Sequence, residues 1–500
     1  MSPLFIITCI SLYFGGLLLI AYFTSKNSTA ESYFSGNHAS PWYAVAFGMI
    51  GDSLSGVTYI SVPGKVGAAN FSYLQLVFGY FVGYFIISKV LLPMYYKLNL
   101  ISIYSYLENR FGRNTQKTGA FFFIISRVLG AAARLYLAAG VIQFFVFDRI
   151  ENVHIPFWVS VSIILALMLL YTYKGGIKTL VWTDTFQSLF LILGVVVSII
   201  VIIHKMDIGF TKAVGNIIAS DYSNTFFWDW RESNFFVKEF IGGVFIAVAM
   251  TGLDQNMMQK NLSCKSLGDA QKNIFWFSVV MVVVTTCFLA LGALLYQYYD
   301  FAHIALPTHE ETGKVITDKV FPNLALNHLG MFAGLIFIIG LTAATFSSAD
   351  SVLTTLTTST YIDVLELDKN AKLSEEQKSK RRTYIHIGFA ILMWLVIVVF
   401  DIINQKAIID TVLMIAGYTY GPLLGLFMVG LFTKVNLRDK LVPIVCVLAP
   451  IVTYLLANYL IPNISTYKVG NELILLNALT TVIGLIVFTK IHTKTRIING

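Results

Sequence analysis

The chain has 500 residues, 56% of them hydrophobic and only 12% charged, with a mean hydropathy of +0.72. Soluble globular chains carry roughly 25% charged residues, so a soluble domain is excluded and an integral membrane protein implied. The formal net charge of +8 is read as a topology signal, with no nucleic-acid partner implied.

Apolar windows long enough to cross ~30 Å of hydrocarbon as helix recur along the whole length. In chain order they fall at about 3–22, 42–69, 74–98, 118–147, 155–173, 182–204, 237–260, 273–297, 325–362, 383–401, 408–433, 440–461 and 471–490, 13 in all. Short alternating strands of the barrel type are absent, so the expected fold is all-α. The first window has neither a basic stretch before it nor a small-residue cleavage site and is expected to stay as a helix. With the N-terminus outside, about 22 of the 35 Lys and Arg fall in inside loops: Lys26, Lys97, Arg110, Arg113, Lys117, Lys174, Lys178, Lys260, Lys265, Lys272, the run from Lys369 to Arg382, Lys434, Arg438, Lys440, Lys490, Lys494 and Arg496. That is the positive-inside pattern, giving N-out and C-in. The four cysteines stand far apart, without metal or disulfide spacing, and no nucleophile–base or metal constellation points to an enzyme.

Two windows look broken. The second holds GDSLSGVTYISVPG, with Asp52, hydroxyls at Ser53, Ser55, Thr58, Tyr59 and Ser61, and the helix breakers Gly51, Gly56, Pro63 and Gly64. The seventh, IGGVFIAVAMTGLDQ, has Gly242, Gly243 and Gly252 beside Thr251. Backbone freed inside a membrane is tolerated only where protein or a water-filled cavity satisfies it, and interrupted helices at matching positions of two halves point to a transporter's midplane site. The competing reading is that small residues merely let helices pack closely. In the ninth window, Ser347, Ser348, Ser351, Thr354 and Thr355 recur at helical spacing, presenting a column of hydroxyls suited to a dehydrated cation. Such residues also commonly bond the carbonyl four residues back.

LLPMYYKLNLISIYSYLENRFG (Leu91–Gly112), YKGGIKTLVWTDTFQ (Tyr173–Gln187), GLDQNMMQKNLSCKS (Gly252–Ser266) and GPLLGLFMVGLFTKVN (Gly421–Asn436), in this order with SGVTYISVPG and SSADS, resemble the sodium:solute symporter family over nearly the whole chain. The resemblance implies a LeuT-like five-plus-five inverted repeat with one extra N-terminal and two extra C-terminal helices. The corresponding regions are 1–41, an extra helix and cytoplasmic loop; 42–204, the first repeat; 205–236, an extracellular loop; 237–433, the second repeat; and 434–500, two further helices and a short tail. It implies a main sodium site made of the carbonyls of Gly51, Leu54 and Ala344 and the hydroxyls of Ser347 and Ser348. In relatives with a second sodium, an acid at the position of Asp184 faces hydroxyls one turn below the main site, which implies Asp350 and Ser351 here. Asp350 replaces the small or hydroxyl residue expected there, so either a second cation sits between the acids or one keeps its proton. Thr183 or Asp184 capping a helix N-terminus is the alternative. Asp52 either coordinates a cation, meets a cationic solute or hydrogen-bonds the broken backbone.

The solute is expected beside the ion, lined by Ser55, Thr58, Tyr59, Met250, Thr251, Leu413, Tyr418 and Tyr420. Arg127 and Arg134, seven residues apart on one helix face, either take a carboxylate in two hydrogen bonds or pair with Asp52, Asp184 or Asp350. The implied function is sodium-driven symport by alternating access, with one or two sodium ions and a small polar solute, leaning to an amino acid, sialic acid or monocarboxylate. The alternatives are a sodium-coupled sugar or polyol carrier and, from another class, a transport-coupled sensor or a channel. The expected setting is the bacterial inner membrane, multi-pass, with the carrier acting as a monomer.

Overall fold

The computed structural model describes residues 3–25, 30–145, 147–150, 154–309, 312–403 and 408–489. Lys26, Lys490, Lys494 and Arg496, used above for topology, lie outside them. Among the described residues the fold is helical, with two isolated bridges and no strand. The principal helices are α1 (Pro3–Ser25), α2 (Trp42–Ser53), α3 (Gly56–Ala69), α4 (Tyr73–Ile86), α5 (Arg113–Phe145), α6 (Phe157–Lys205), α7 (Phe236–Ala247), α8 (Gln255–Leu262) and α9 (Leu267–Phe301). They continue with α10 (Met331–Ser359), α11 (Glu375–Ile403), α12 (Ile408–Phe432), α13 (Val442–Leu455) and α14 (Leu473–Gly484). Among the described residues, nine helices are long and apolar enough to span a bilayer, or 11 when each of two bent pairs counts as one span, and two shorter apolar helices, Phe157–Leu170 and Leu473–Thr489, stand beside them.

Polarity is inverted relative to a soluble protein. Leu19, Phe85, Ile200, Leu395 and Val487 are exposed on the outside, whereas the Ser and Thr of α10 are buried. That is the arrangement expected when the surroundings are hydrocarbon. α10 runs through the centre, packed on α6, while α4 lies along α7 and α12 lies between α5 and α14.

The bent pairs are α2–α3, at 57°, and α7–α8, at 64°. α2 stops because Leu54 (φ −92, ψ 70) and Ser55 (φ −70, ψ 177) leave helical geometry. The second bend falls at Leu253 and at Asp254, which is extended and caps α8 by accepting the Met257 N–H at 3.1 Å. Gly252 adjoins this break. Gly243 does not: it lies inside α7, where an added Cβ would stand 2.1 Å from the Leu76 carbonyl oxygen. For that glycine the close-packing reading holds. α6 turns at Gly176 (φ 56), where a Cβ would meet the Tyr33 Cα at 2.5 Å; only glycine suits both the dihedral and the space.

Candidate functional site

The first break lies against α10. A Cβ on Gly51 would be 2.7 Å from Ser347 Oγ and 2.6 Å from Ser188 Oγ, and one on Gly56 would be 2.3 Å from Thr345 Oγ1. Glycine at both positions lets main chain approach side-chain oxygen. The Gly51 N–H donates to Ser188 Oγ at 2.8 Å. Leu54 N–H still donates to the Ile50 carbonyl at 2.7 Å, but no backbone N–H beyond the break reaches the carbonyl of Gly51 or Leu54 among the described residues. Those two oxygens are therefore freed beside buried Ser347 and Ser348. The Ser348 hydroxyl donates to the Thr345 carbonyl at 3.0 Å, and the Ser347 hydroxyl to Asp184 Oδ1 at 3.2 Å.

Asp184 lies in the middle of α6, so it does not cap a helix. Its Oδ2 accepts from Lys260 Nζ at 2.5 Å and from the Ser351 hydroxyl at 3.2 Å. The same ammonium donates to Asp52 Oδ2 and, at 2.9 Å, to Ser351 Oγ. Asn256 adds a bond to Asp52 Oδ2 at 3.1 Å. None of the three roles expected of Asp52 includes this ion pair. The topology pattern places Lys260 among the inside-loop cations, yet its side chain is 1% exposed, so it does not belong to that set. The Asp350 carboxylate accepts the N–H of Ser351. Sequence reasoning missed Lys260, Ser188, Asp254 and Asn256. The available signal was a lysine within GLDQNMMQK, a stretch otherwise fit to continue a span.

Ser55, Thr58, Arg127, Arg134, Met250, Thr251 and Leu413 line one central cavity of about 90 Å³, with Asp52, Tyr73, Tyr80 and Tyr84. Three expected lining residues stand elsewhere. Tyr59 packs its ring on Phe288, Phe321 and Phe337. Tyr420 donates to Asp254 Oδ2 at 2.6 Å. Tyr418 accepts from Asn458 Nδ2 at 3.2 Å and lines a larger vestibule of about 790 Å³ that opens to one face past Lys65, Asp410 and Leu413. The two arginines differ. Arg127 Nε donates to Asp254 Oδ2 at 2.6 Å, a partner outside the three acids considered. Arg134, buried, makes no ion pair among the described residues. Asp52 Oδ1 is likewise buried and has no hydrogen-bond partner among the described residues.

Two broken helices meeting a hydroxyl-lined helix beside a small polar cavity are the arrangement of a LeuT-like secondary transporter. The family model of the sodium:solute symporter family matches residues 33–439. The chain belongs to that family, and its function is sodium-coupled symport. It is 26% identical over 448 residues to the sodium/sialic acid symporter NanT of Aliivibrio fischeri, covering 88% of this chain and 85% of that protein. It is 27% identical to the sodium-coupled monocarboxylate transporter 1 of Mus musculus, covering 84% and 68%. Among solved structures, the substrate-bound outward-open state of a Na+-coupled sialic acid symporter superposes with a TM-score of 0.81 at 23% identity, over 96% of both chains. A nucleobase-cation-symport-1 family transporter in a closed conformation gives 0.55 at 13% identity, over 92% and 94%. These two establish the fold alone.

Proposed function

We propose that the chain imports a small carboxylate-bearing solute with sodium, and that Arg134 receives the carboxylate. The observation that carries this reading is a buried guanidinium lining the central cavity without a carboxylate of its own. A buried charge without a partner is costly, and a bidentate carboxylate offsets that cost. The unpaired Asp52 Oδ1 on the same cavity supplies an acceptor for a hydroxyl or amine of the solute. The names of relatives that carry sialic acid and monocarboxylates support the same class.

Sodium is held by the carbonyls of Gly51, Leu54 and Ala344 with the hydroxyls of Ser347 and Ser348. The freed carbonyls at the break and the burial of both serines support this set. The thirteen-span, five-plus-five arrangement has support in the matching breaks and the two shorter apolar helices. The face on which the vestibule opens is extracellular, with N-out and C-in in a bacterial inner membrane, because the opposite face carries the basic loops.

Uptake into proteoliposomes with and without an inward sodium gradient tests the reading. Acids are compared with their amides and with sugars and polyols of similar size. Sodium-driven uptake of acids over their amides is expected; uptake of neutral sugars in preference to acids would replace this reading with the polyol one. Ser347→Ala with Ser348→Ala is expected to abolish sodium stimulation, and unchanged sodium dependence would refute the ligand set.

A further inference from the structure

We infer that the ammonium of Lys260 is a tethered cation filling the site between Asp52 and Asp184, so that the carrier binds one sodium ion and not two. The inference rests on the sodium-symport reading above and fixes its stoichiometry. Three observations lead to it. The ammonium has three oxygen partners, Asp52 Oδ2, Asp184 Oδ2 and Ser351 Oγ, which is the full donor capacity of a lysine. Two carboxylates and a hydroxyl are also the kind of oxygen donors a hard cation takes. Asp184 and Ser351 are two of the three residues implied above for a second sodium, and both are hydrogen-bonded to Lys260.

Asp52 and Asp184 with Lys260 leave one net negative charge, in a region where all three side chains are at most 1% exposed. Asp184 Oδ1 accepts from Ser347, one of the two hydroxyls proposed for the main ion, so this charge lies next to that site. One sodium there neutralises the trio. The trio also connects the two ligands. Asp52 lines the solute cavity, Asp184 touches Ser347, and Lys260 bridges them.

The test is equilibrium binding of radioactive sodium to the purified full-length protein, counted per chain, together with the slope of binding against sodium concentration. Wild type is expected to bind one ion with a Hill slope near one. Lys260→Gln vacates the site while both acids remain, and is expected to bind two. Lys260→Arg keeps a cation there and stays at one. Two ions on wild type would overturn the inference and leave sodium symport standing; so would a single ion on a monodisperse K260Q protein. Should K260Q fail to fold, the wild-type count decides alone. No specific sodium binding to wild type would overturn the symport reading itself.

Discussion

Arg127 and Arg134 lie two turns apart on α5, and only one has an acid to itself. The Arg127 pair is structural: Asp254 caps α8, takes Tyr420 and fixes the second break. Removing one partner of a buried pair costs about 3–5 kcal/mol. Arg127→Met is therefore expected to lower the melting temperature in detergent strongly, as is Asp254→Ala. Arg134→Met removes no ion pair and is expected to leave melting nearly unchanged. Its effect belongs to transport: loss of a charged hydrogen-bonded pair, about 1.5–3 kcal/mol, should raise KM for acids by roughly 10–150-fold and leave their amides unaffected. Equal melting losses for both arginines would remove the distinction. The sequence could place the two on one face, because seven residues make two helical turns. It could not tell which met a carboxylate, since Asp254 is 127 positions from Arg127. The same limit hid Lys260, which is 208 positions from Asp52 and 76 from Asp184.

Among the elements, the two breaks were legible because glycine together with a hydroxyl and an acid interrupts an apolar window, and freed backbone inside hydrocarbon is tolerated only where protein or water satisfies it. The fine placement was not. Of the glycines offered for the second break, Gly252 adjoins it, whereas Gly243 forms a seam with α4. There Gly79 meets the Phe240 carbonyl and Gly83 meets Ala247 and the Val244 carbonyl, with hypothetical Cβ distances of 2.1 and 2.6 Å. Gly243→Leu would force backbone away from backbone. The expected loss is about 1–3 kcal/mol or more, seen as a lower melting temperature; a variant that melts like wild type would show the seam to be loose. Tyr59 teaches the converse. Its hydroxyl lies so near Gly194 and Gly340 that a Cβ there would be 2.2 and 2.7 Å from it, so it packs away from the cavity although Thr58, its neighbour in sequence, lines it.

Across the whole molecule, one face is open and the other fastened. The vestibule lies on the first, with Lys65 Nζ and Asp410 Oδ1 at 2.6 Å. On the second, Arg113 grips Glu366 through two nitrogens and Lys117 stands 3.5 Å from it. There too, Asp439 accepts the N–H groups of Asn114 and Thr115 at the start of α5, a favoured place for an acid. The Glu366 carboxyl is held below its ordinary value, chiefly by its hydrogen bond with Arg113. A depressed folded value means the clasp contributes fully above the ordinary carboxylate range, near 4.3, and loses its contribution as pH falls through the lower folded value. The Arg113 side chain is 60% exposed, so solvent screens the clasp and its contribution is small. Glu366→Gln should lower the protection of amides on this face at neutral pH and remove the fall of that protection towards acid pH; identical protection in the variant would show the clasp to be idle.

The glycine seam carries a consequence for the surrounding lipid. With main chain seated on main chain, α7 cannot turn without taking α4 along, and the far side of α4 presents Phe81 and Phe85, 41% and 62% exposed. Any movement of α7 during turnover would then sweep two aromatic rings through acyl chains. The turnover rate should accordingly depend on bilayer thickness, measurable in vesicles of stepwise longer phosphatidylcholines, whereas sodium affinity at equilibrium should not.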